Sequence, residues 1–295
     1  MTVARAKRTT AGDITTEVLK RFDSTPNPRL RELMQGIVTH LHAFAREVNL
    51  TEQEWFAGIE FITAVGQKCA HNRQEFILLS DTLGLSILVD LLNHRVAGSA
   101  TETTVIGPFY REGAPELPPG GNMGEMDTTG TPLLISGTVT DPSGKPIPGA
   151  ILDCWQASSV GVYDSQMGAG EELGMRGVYR TDADGFYLLR TTKPKWYPIP
   201  TDGPVGDMIR ATNRHPYRPG HVHFKISAPG YHTLVTHIFD SSSDYLNSDT
   251  VFAVKDSLIV DFEVKHALDE TARKLGIQPP YATGEFDFVL MPAVS

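Results

Sequence analysis

Two histidines stand two residues apart in the stretch "RPGHVHFKI", residues 218–226. The Pro-Gly pair predicts a turn, and the residues after it alternate between apolar and polar side chains, as in a β-strand. Successive side chains on a strand point to opposite faces, so Val222 faces a core while His221 and His223 lie side by side. This pattern fits a solvated strand face with incidental histidines, and it also fits two imidazoles that bind one metal ion.

Further metal ligands are harder to find in the sequence. A second His-x-His pair, His40 and His42, lies in a stretch with helical spacing, where two positions correspond to about 200° of rotation and the side chains diverge. The sequence contains no His-x-Asp, His-x-Glu or His-Glu-x-x-His motif. Tyrosine, of which there are nine, remains as a ligand for a hard cation such as Fe(III). Spacing alone does not select among these tyrosines.

The composition excludes several classes of function. The 295 residues carry a net charge of −9 with a pI of about 5.6, and nucleic-acid binding depends on a basic patch, so we expect no nucleic-acid partner. No window of about 18 or more apolar residues occurs, so we expect no membrane span. The N-terminus lacks the apolar core of a secretory signal, and Cys69 and Cys154 lie far apart. These features favour a cytoplasmic protein.

The chain changes character near residue 100. Before it, apolar residues follow the helical i, i+3, i+4, i+7 spacing, as at Leu30, Leu33, Met34, Ile37, Leu41 and Phe44. Thr51 and Glu54 form a capping box that predicts a helix start. Residues 74–94, "QEFILLSDTLGLSILVDLLNH", predict a third helix that is apolar on most sides. Such a helix must be buried, and a partner subunit is the expected cover.

From residue 105 onward the pattern predicts mainly β structure. Short alternating runs separated by turn signals indicate a β-sandwich or barrel, and residues 177–192 predict a hairpin around "DADG". We therefore expect a mainly β protein with a helical N-terminal segment over residues 1–104 and a β-sandwich over residues 105–295.

Four stretches resemble the intradiol ring-cleaving dioxygenases. They are "TVIGPFY", "DCWQASSVGVYD", "KWYPIPTDGPVG" and "RHPYRPGHVHFKISAPGYHTLVTHIF", which occur in the order found in that family. The resemblance spans roughly residues 30 to 290. It implies a catalytic β-sandwich, a homodimer formed through the N-terminal helices with a phospholipid in its interface, and one Fe(III) per chain.

The resemblance also assigns site residues. It implies Tyr163, which closes a Gly-x-Tyr step, and Tyr197 as iron ligands beside His221 and His223. By position in the family, Arg218 lies beside the substrate and stabilises the anionic charge that develops on its ring. The family has a polar residue at position 237 against the metal-bound oxygens, and here that residue is His237.

The implied reaction is cleavage of an aromatic diol by O2 between two adjacent ring hydroxyls. The enzymes for hydroxyquinol (benzene-1,2,4-triol) are resembled more than the enzymes for catechol or chlorocatechol in three stretches, "YPIPTDGPVG", "GPFY" and "THIF". Hydroxyquinol enzymes yield 3-hydroxy-cis,cis-muconate (maleylacetate). Catechol and chlorocatechol remain alternative substrates. Asp81 is the expected partner of the additional hydroxyl. The expected pocket residues are Leu78, Val105, Pro108, Phe109, Phe252 and Ala253.

A non-enzymatic β-sandwich binding module is the contrasting hypothesis. A homologue that had lost catalysis would be expected to lack at least one of the four implied ligands, and this sequence has all four. The sequence therefore favours the enzyme.

Overall fold

The computed structural model describes residues 10, 14–71, 73–94, 98–166 and 173–293. Within them the α-helices are α1 (Ile14–Arg21), α2 (Pro28–Glu47), α3 (Glu52–Lys68), α4 (Glu75–Thr82), α5 (Leu85–Asn93), α6 (Pro204–Ala211) and α7 (Glu270–Lys274). The strands are β1 (Pro132–Thr140), β2 (Ile151–Gln156), β3 (Arg176–Arg180), β4 (Phe186–Thr192), β5 (Tyr197–Pro198), β6 (Tyr217–Arg218), β7 (His221–Ser227), β8 (Leu234–Asp240), β9 (Ile259–Val260), β10 (Glu263–Lys265), β11 (Tyr281–Glu285) and β12 (Phe288–Val289). The expected class, mainly β with a helical N-terminal segment, is confirmed.

The chain forms two compact units, residues 1–63 and residues 64–295. In the first unit the predicted helix start is confirmed, because the Thr51 N–H donates to Glu54 Oε2 at 2.9 Å and the Glu54 N–H donates to Thr51 Oγ1 at 3.2 Å. The chain changes from helices to strands between α5 and β1, and this change does not coincide with the division between the two units. The predicted boundary between residues 104 and 105 stays a prediction.

The helices of the first unit expose large apolar side chains. Along α2 these side chains recur every three or four residues and form one stripe, and α3 carries a second group. The exposed residues are Leu30, Leu33, Ile37, Leu41, Phe44, Trp55, Phe56, Ile59 and Ile62. Contiguous apolar surface of this kind is unusual unless another molecule covers it.

The single helix expected over residues 74–94 is wrong, because the segment forms two helices, α4 and α5. Gly84 separates them with φ +73°, a left-handed conformation that glycine adopts without a steric penalty. On α4 the break leaves Leu78 and Asp81 buried, at 2% and 3% exposed. On α5 several apolar side chains are about half exposed, namely Leu85, Leu88, Val89, Leu91 and Leu92. In the part of the chain that the structure describes, no helix is long and apolar enough to cross a membrane.

Two five-stranded sheets build the second unit. One has the order β10-β11-β1-β12, with β4 also paired to β1, and the other has the order β3-β2-β7-β8-β9. A two-stranded ribbon joins β5 to β6. The first two sheets supply the buried apolar cluster of the unit, which includes Leu133 and Ile135 of β1 and Leu152 of β2. This arrangement is the expected sandwich.

The hairpin expected over residues 177–192 is wrong. Its two strands form, but β3 pairs with β2 in one sheet and β4 pairs with β1 in the other. The turn itself follows its sequence, since Asp182 Oδ1 accepts the N–H groups of Asp184 and Phe186, each at 2.9 Å. Turn chemistry does not determine which neighbours the flanking strands choose.

β7 is buried on both faces. Val222, Phe224 and Ile226 enter the apolar cluster with no exposed surface, as the alternation predicted. The opposite face is not solvated, because His221 and His223 are 1% and 2% exposed. The nitrogen atoms of a buried polar face require partners inside the protein, whereas those of a solvated face find them in water.

Gly220 lets the turn before β7 pass close to the segment that leads to Tyr197. A Cβ at position 220 would lie 2.6 Å from the Pro194 carbonyl oxygen. The Gly220 N–H donates to Ser243 Oγ at 2.7 Å, which fixes the turn immediately before His221. This glycine therefore sets the entry of β7.

Gly220→Ala should lower the free energy of unfolding by about 1–3 kcal/mol, because the added methyl group must displace the Pro194 backbone. Urea unfolding followed by circular dichroism measures the effect. Gly66→Ala is the matched control in the same unit, since its Cβ would meet nothing closer than the Phe76 ring at 3.6 Å. Unchanged midpoints for both variants would contradict the packing described for Gly220.

Candidate active site

Tyr163 reaches the site through a tight turn after β2. The Ser158 N–H donates to the Val162 carbonyl at 2.9 Å, and Gly161 adopts φ +79° inside this turn. A Cβ on Gly161 would lie 3.0 Å from the Trp196 carbonyl oxygen, so glycine permits close approach of the chain beside Tyr197. The Gly-x-Tyr step is thus a packing requirement that brings two tyrosines together.

Tyr197 and Arg218 are directly opposite each other in the β5–β6 ribbon. Arg218 Nη1 lies 3.5 Å from Tyr197 Oη and 3.3 Å from His221 Nε2. Both side chains are nearly inaccessible to solvent, at 2% and 3% exposed. The ribbon therefore holds a phenol and a permanent positive charge against the start of β7.

Four polar atoms converge in this buried space. His221 Nε2 lies 3.1 Å from His223 Nε2, which lies 3.0 Å from Tyr163 Oη. Tyr163 Oη lies 3.4 Å from Tyr197 Oη. Two ligands at about 2.1 Å from one ion, with a right angle between them, are separated by about 3.0 Å. The separations match those between ligands of a single metal ion.

The orientation of His221 fits a metal ligand. Its Nδ1 lies 2.7 Å from the Pro219 carbonyl oxygen, which accepts hydrogen bonds and never donates them. Nδ1 therefore carries the proton, and the lone pair of Nε2 lies on the side of His223 Nε2 and Arg218 Nη1. A backbone carbonyl that fixes the tautomer in this way is typical of metal-binding histidines. Trp155 stacks on His223 with ring centroids 4.5 Å apart, which holds the second imidazole.

His237 is directly opposite His223 on β8 and completes a buried cluster of three histidines. The potential ligand atoms of His221, His223 and His237 all lie within 4.8 Å of one another, so the cluster is capable of binding a metal ion. His237 Nδ1 lies 2.6 Å from Thr104 Oγ1, whereas its Nε2 is buried without a hydrogen-bond partner among the described residues. An unpaired buried nitrogen of this kind indicates a missing ligand or substrate atom.

The electrostatic environment keeps the imidazoles neutral. Burial lowers the pKa of His221, His223 and His237 well below the usual range, and neighbouring charges, including Arg218, lower it further. Burial raises the pKa of both phenols, although the Arg218 charge opposes this effect at Tyr197. Neutral imidazoles are ready ligands, and a phenolate in this site requires a cation beside it.

A cavity of about 390 Å³ is lined in part by Leu78, Pro108 and Phe109. The Phe109 ring stacks on Tyr163 with centroids 4.3 Å apart. Val105 and Ala253 are buried, at 9% and 0% exposed. The structure therefore brings three of the expected pocket residues to one cavity next to Tyr163.

Two further expected residues have different surroundings. Asp81 is buried, and its Oδ1 has no hydrogen-bond partner in the part of the chain that the structure describes. Burial raises the pKa of its carboxyl group, while Ser86 and Arg218 oppose this. Phe252 is 53% exposed, and its ring packs over the Arg214 guanidinium at 5.3 Å. It lines a separate cavity with Asn213 and Arg214.

Sequence reasoning missed several residues that support the site. Thr104 holds His237, and Asp249 binds Arg218 in a two-point ion pair. Asp164, next to Tyr163, forms a buried ion pair with Arg176 at 2.6 Å. Nothing in the local sequence indicates these pairings, because each joins separate segments of the chain.

Comparisons with known proteins agree with this geometry. Residues 27–101 match the family model described as "Catechol dioxygenase N terminus", and residues 105–292 match the model described as "Dioxygenase". Together they cover both the helical and the sheet-forming parts of the chain.

Individual relatives agree with the family models. A hydroxyquinol 1,2-dioxygenase from Rhizobium sp. (strain MTP-10005) is 47% identical over 280 residues, which cover 92% of each chain. A catechol 1,2-dioxygenase from Candida albicans is 43% identical over 80% of this chain and 79% of its own. The crystal structure of a hydroxyquinol 1,2-dioxygenase from Pseudomonas putida DLL-E4 has a TM-score of 0.89 at 51% identity, covering 96% of this chain and 99% of that one. The resemblance inferred from the sequence is confirmed, and the chain belongs to the intradiol ring-cleaving dioxygenases.

Proposed function

We propose that this enzyme holds one Fe(III) per chain on Tyr163, Tyr197, His221 and His223 and uses O2 to cleave hydroxyquinol between its adjacent hydroxyls. The product is 3-hydroxy-cis,cis-muconate (maleylacetate). The observation that carries the proposal is the buried convergence of two imidazole nitrogens and two phenol oxygens at 3.0–3.4 Å. Two phenolates offset most of the charge of a ferric ion, which a set of neutral histidines does not.

The three-histidine cluster is the competing ligand set. His237 differs from His221 and His223, because its Nε2 makes no hydrogen bond to the converging atoms. Its Nδ1 lies 2.6 Å from the Thr104 hydroxyl oxygen, so that ring nitrogen already has a partner. We infer that the Thr104 hydroxyl donates to Nδ1 and that the His237 proton lies on Nε2. We assign His237 as a hydrogen-bond donor to a substrate oxygen and not as a ligand.

The residues around the metal divide the remaining tasks. When bound, the ferric ion would act as a Lewis acid and a template for the chelated diol. Held as a phenolate by the cation, Tyr197 would accept a proton from a substrate hydroxyl as general base and become a neutral phenol. It is the tyrosine that Arg218 contacts. Arg218 stabilises the anionic substrate, and the buried setting strengthens that interaction by excluding water.

Hydroxyquinol is favoured over catechol by the unpaired oxygen of Asp81. A buried carboxyl oxygen that has no hydrogen-bond partner among the described residues would pair with the additional ring hydroxyl of the triol. Relatives named for hydroxyquinol also cover more of this chain than the catechol enzyme from Candida albicans. Cleavage of catechol or chlorocatechol to the corresponding muconate is the alternative. We assign the pocket wall to Leu78, Val105, Pro108, Phe109, Phe252 and Ala253.

The exposed apolar helices support a homodimer. We propose that residues 1–104 act as the dimerisation segment and residues 105–295 as the catalytic domain. The apolar stripe on α2, the apolar group on α3 and the half-exposed leucines of α5 need cover. We also propose that a phospholipid lies in the dimer interface. We assign the enzyme to the cytoplasm.

The purified protein should be reddish and contain about one ferric iron per chain, because tyrosinate bound to Fe(III) absorbs visible light. Tyr197→Phe should retain iron but lose most turnover, whereas Tyr163→Phe should change the spectrum without substrate. Metal analysis measures the retained iron, and absorbance measures the spectrum and the turnover. Tyr179→Phe, a buried phenol that donates to the Gly121 carbonyl instead, is the control and should keep its colour. Stoichiometric zinc in a colourless protein would contradict the proposal.

Asp81→Ala should reduce the ratio of kcat/KM for hydroxyquinol to kcat/KM for catechol. A site built to bind a substrate hydroxyl rejects the analogue without it by roughly 10⁴-fold, because its own polar group stays unpaired. Oxygen uptake with both substrates measures the ratio. Asp90→Asn is the control, since Asp90 is a buried carboxylate on α5 that pairs with Lys255. A wild-type preference for catechol, or an unchanged ratio in Asp81→Ala, would argue against this role.

A further inference from the structure

Asp249 binds two of the three nitrogens of the Arg218 guanidinium. Arg218 Nε lies 3.1 Å from Asp249 Oδ1, and Nη2 lies 3.2 Å from Oδ2. The two side chains are 3% and 2% exposed, so the pair is shielded from water. A two-point contact between planar groups fixes orientation as well as position.

This contact leaves one nitrogen of Arg218 available to the site. Nη1 faces Tyr197 Oη at 3.5 Å and His221 Nε2 at 3.3 Å. With Nε and Nη2 bound to Asp249, rotation of the guanidinium would break two charge-assisted hydrogen bonds. Asp249 therefore determines which edge of Arg218 meets the converging atoms.

The same carboxylate organises the turn that follows it. Asp249 Oδ1 accepts the Val251 N–H at 3.3 Å, and Oδ2 accepts the Ala253 N–H at 3.1 Å. Phe252 lies between these two amides with φ +61°, a left-handed conformation that is unfavourable for a bulky residue. The Thr250 N–H also donates to the Tyr217 carbonyl at 3.2 Å, which ties the turn to β6.

Asp249 thus joins two parts of the proposed pocket through one carboxylate. One part is the cation expected to stabilise the substrate, and the other is the turn that carries Phe252 and Ala253. Local backbone strain persists where surrounding contacts hold it, and Asp249 supplies two such contacts on either side of Phe252.

We propose that Asp249 is the positioning residue for Arg218, directing Nη1 at the substrate and holding the 249–253 turn in register with it. The proposal rests on the function proposed above, in which Arg218 contacts an anionic diol. It predicts that most of the effect of Asp249 on catalysis passes through Arg218.

Asp249→Asn should lower kcat/KM by about 100-fold, since a displaced catalytic group can cost that much. The affinity for substrate, measured anaerobically by absorbance, should fall in parallel. Asp240→Asn is the matched control, because Asp240 is also buried and ion-paired, with Lys193 at 3.0 Å, and caps a turn at Ser242. This control should retain wild-type kinetics and affinity.

A double-mutant cycle separates positioning from general stability. In Arg218→Gln, adding Asp249→Asn should lower kcat/KM and affinity by far less than it does in the wild type, because only the contacts to the 249–253 turn remain to be lost. This paired variant leaves no unpaired buried charge to impair folding. Additive losses, or an Asp249→Asn variant with the kinetics of Asp240→Asn, would overturn the proposal. If Asp249→Asn does not fold, Asp249→Glu replaces it, because the longer side chain keeps the charge and moves the guanidinium. A wild-type protein without iron or oxygen uptake would instead refute the proposed function.

Discussion

The structure depends on one constraint, which is that four polar atoms meet in a space buried from solvent. His221 Nε2 has a lone pair and no proton, because the Pro219 carbonyl holds the proton on Nδ1. It faces His223 Nε2 at 3.1 Å, and Tyr163 Oη lies 3.0 Å from that second nitrogen. Burial of polar groups is costly unless they have partners, and one metal ion in the centre would serve all four atoms. The four atoms are therefore placed as the ligands of a single cation would be.

The surrounding residues restrict how these four atoms are able to move. Trp155 stacks on His223, Phe109 stacks on Tyr163, and Arg218 contacts Tyr197. The supporting ion pairs lie one layer further out, with Arg176 on Asp164 and Asp249 on Arg218. Side chains held on several sides keep the geometry that a reaction needs before the substrate arrives. The inferred role of Asp249 belongs to this outer layer.

The local parts of this architecture could be predicted from the sequence, and its long-range pairings could not. Alternation along β7 and the Thr51 capping box follow from the spacing of a few residues. The contact between Thr104 and His237 joins positions 133 residues apart, and no local pattern indicates it. Propensity predicted β3 and β4 as strands but paired them wrongly, since partner choice depends on the whole sandwich. Spacing could not choose Tyr163 and Tyr197 among nine tyrosines, because their meeting depends on the Gly161 turn and the β5–β6 ribbon.

X-ray diffraction from crystals of the purified protein, with anomalous data collected on both sides of the iron absorption edge, tests the central claim most directly. The account predicts one iron peak per chain at about 2 Å from Tyr163 Oη, Tyr197 Oη, His221 Nε2 and His223 Nε2. His237 should lie outside this distance, with its Nε2 directed at the substrate side. A peak bound by His221, His223 and His237, with both tyrosines displaced, would contradict the account.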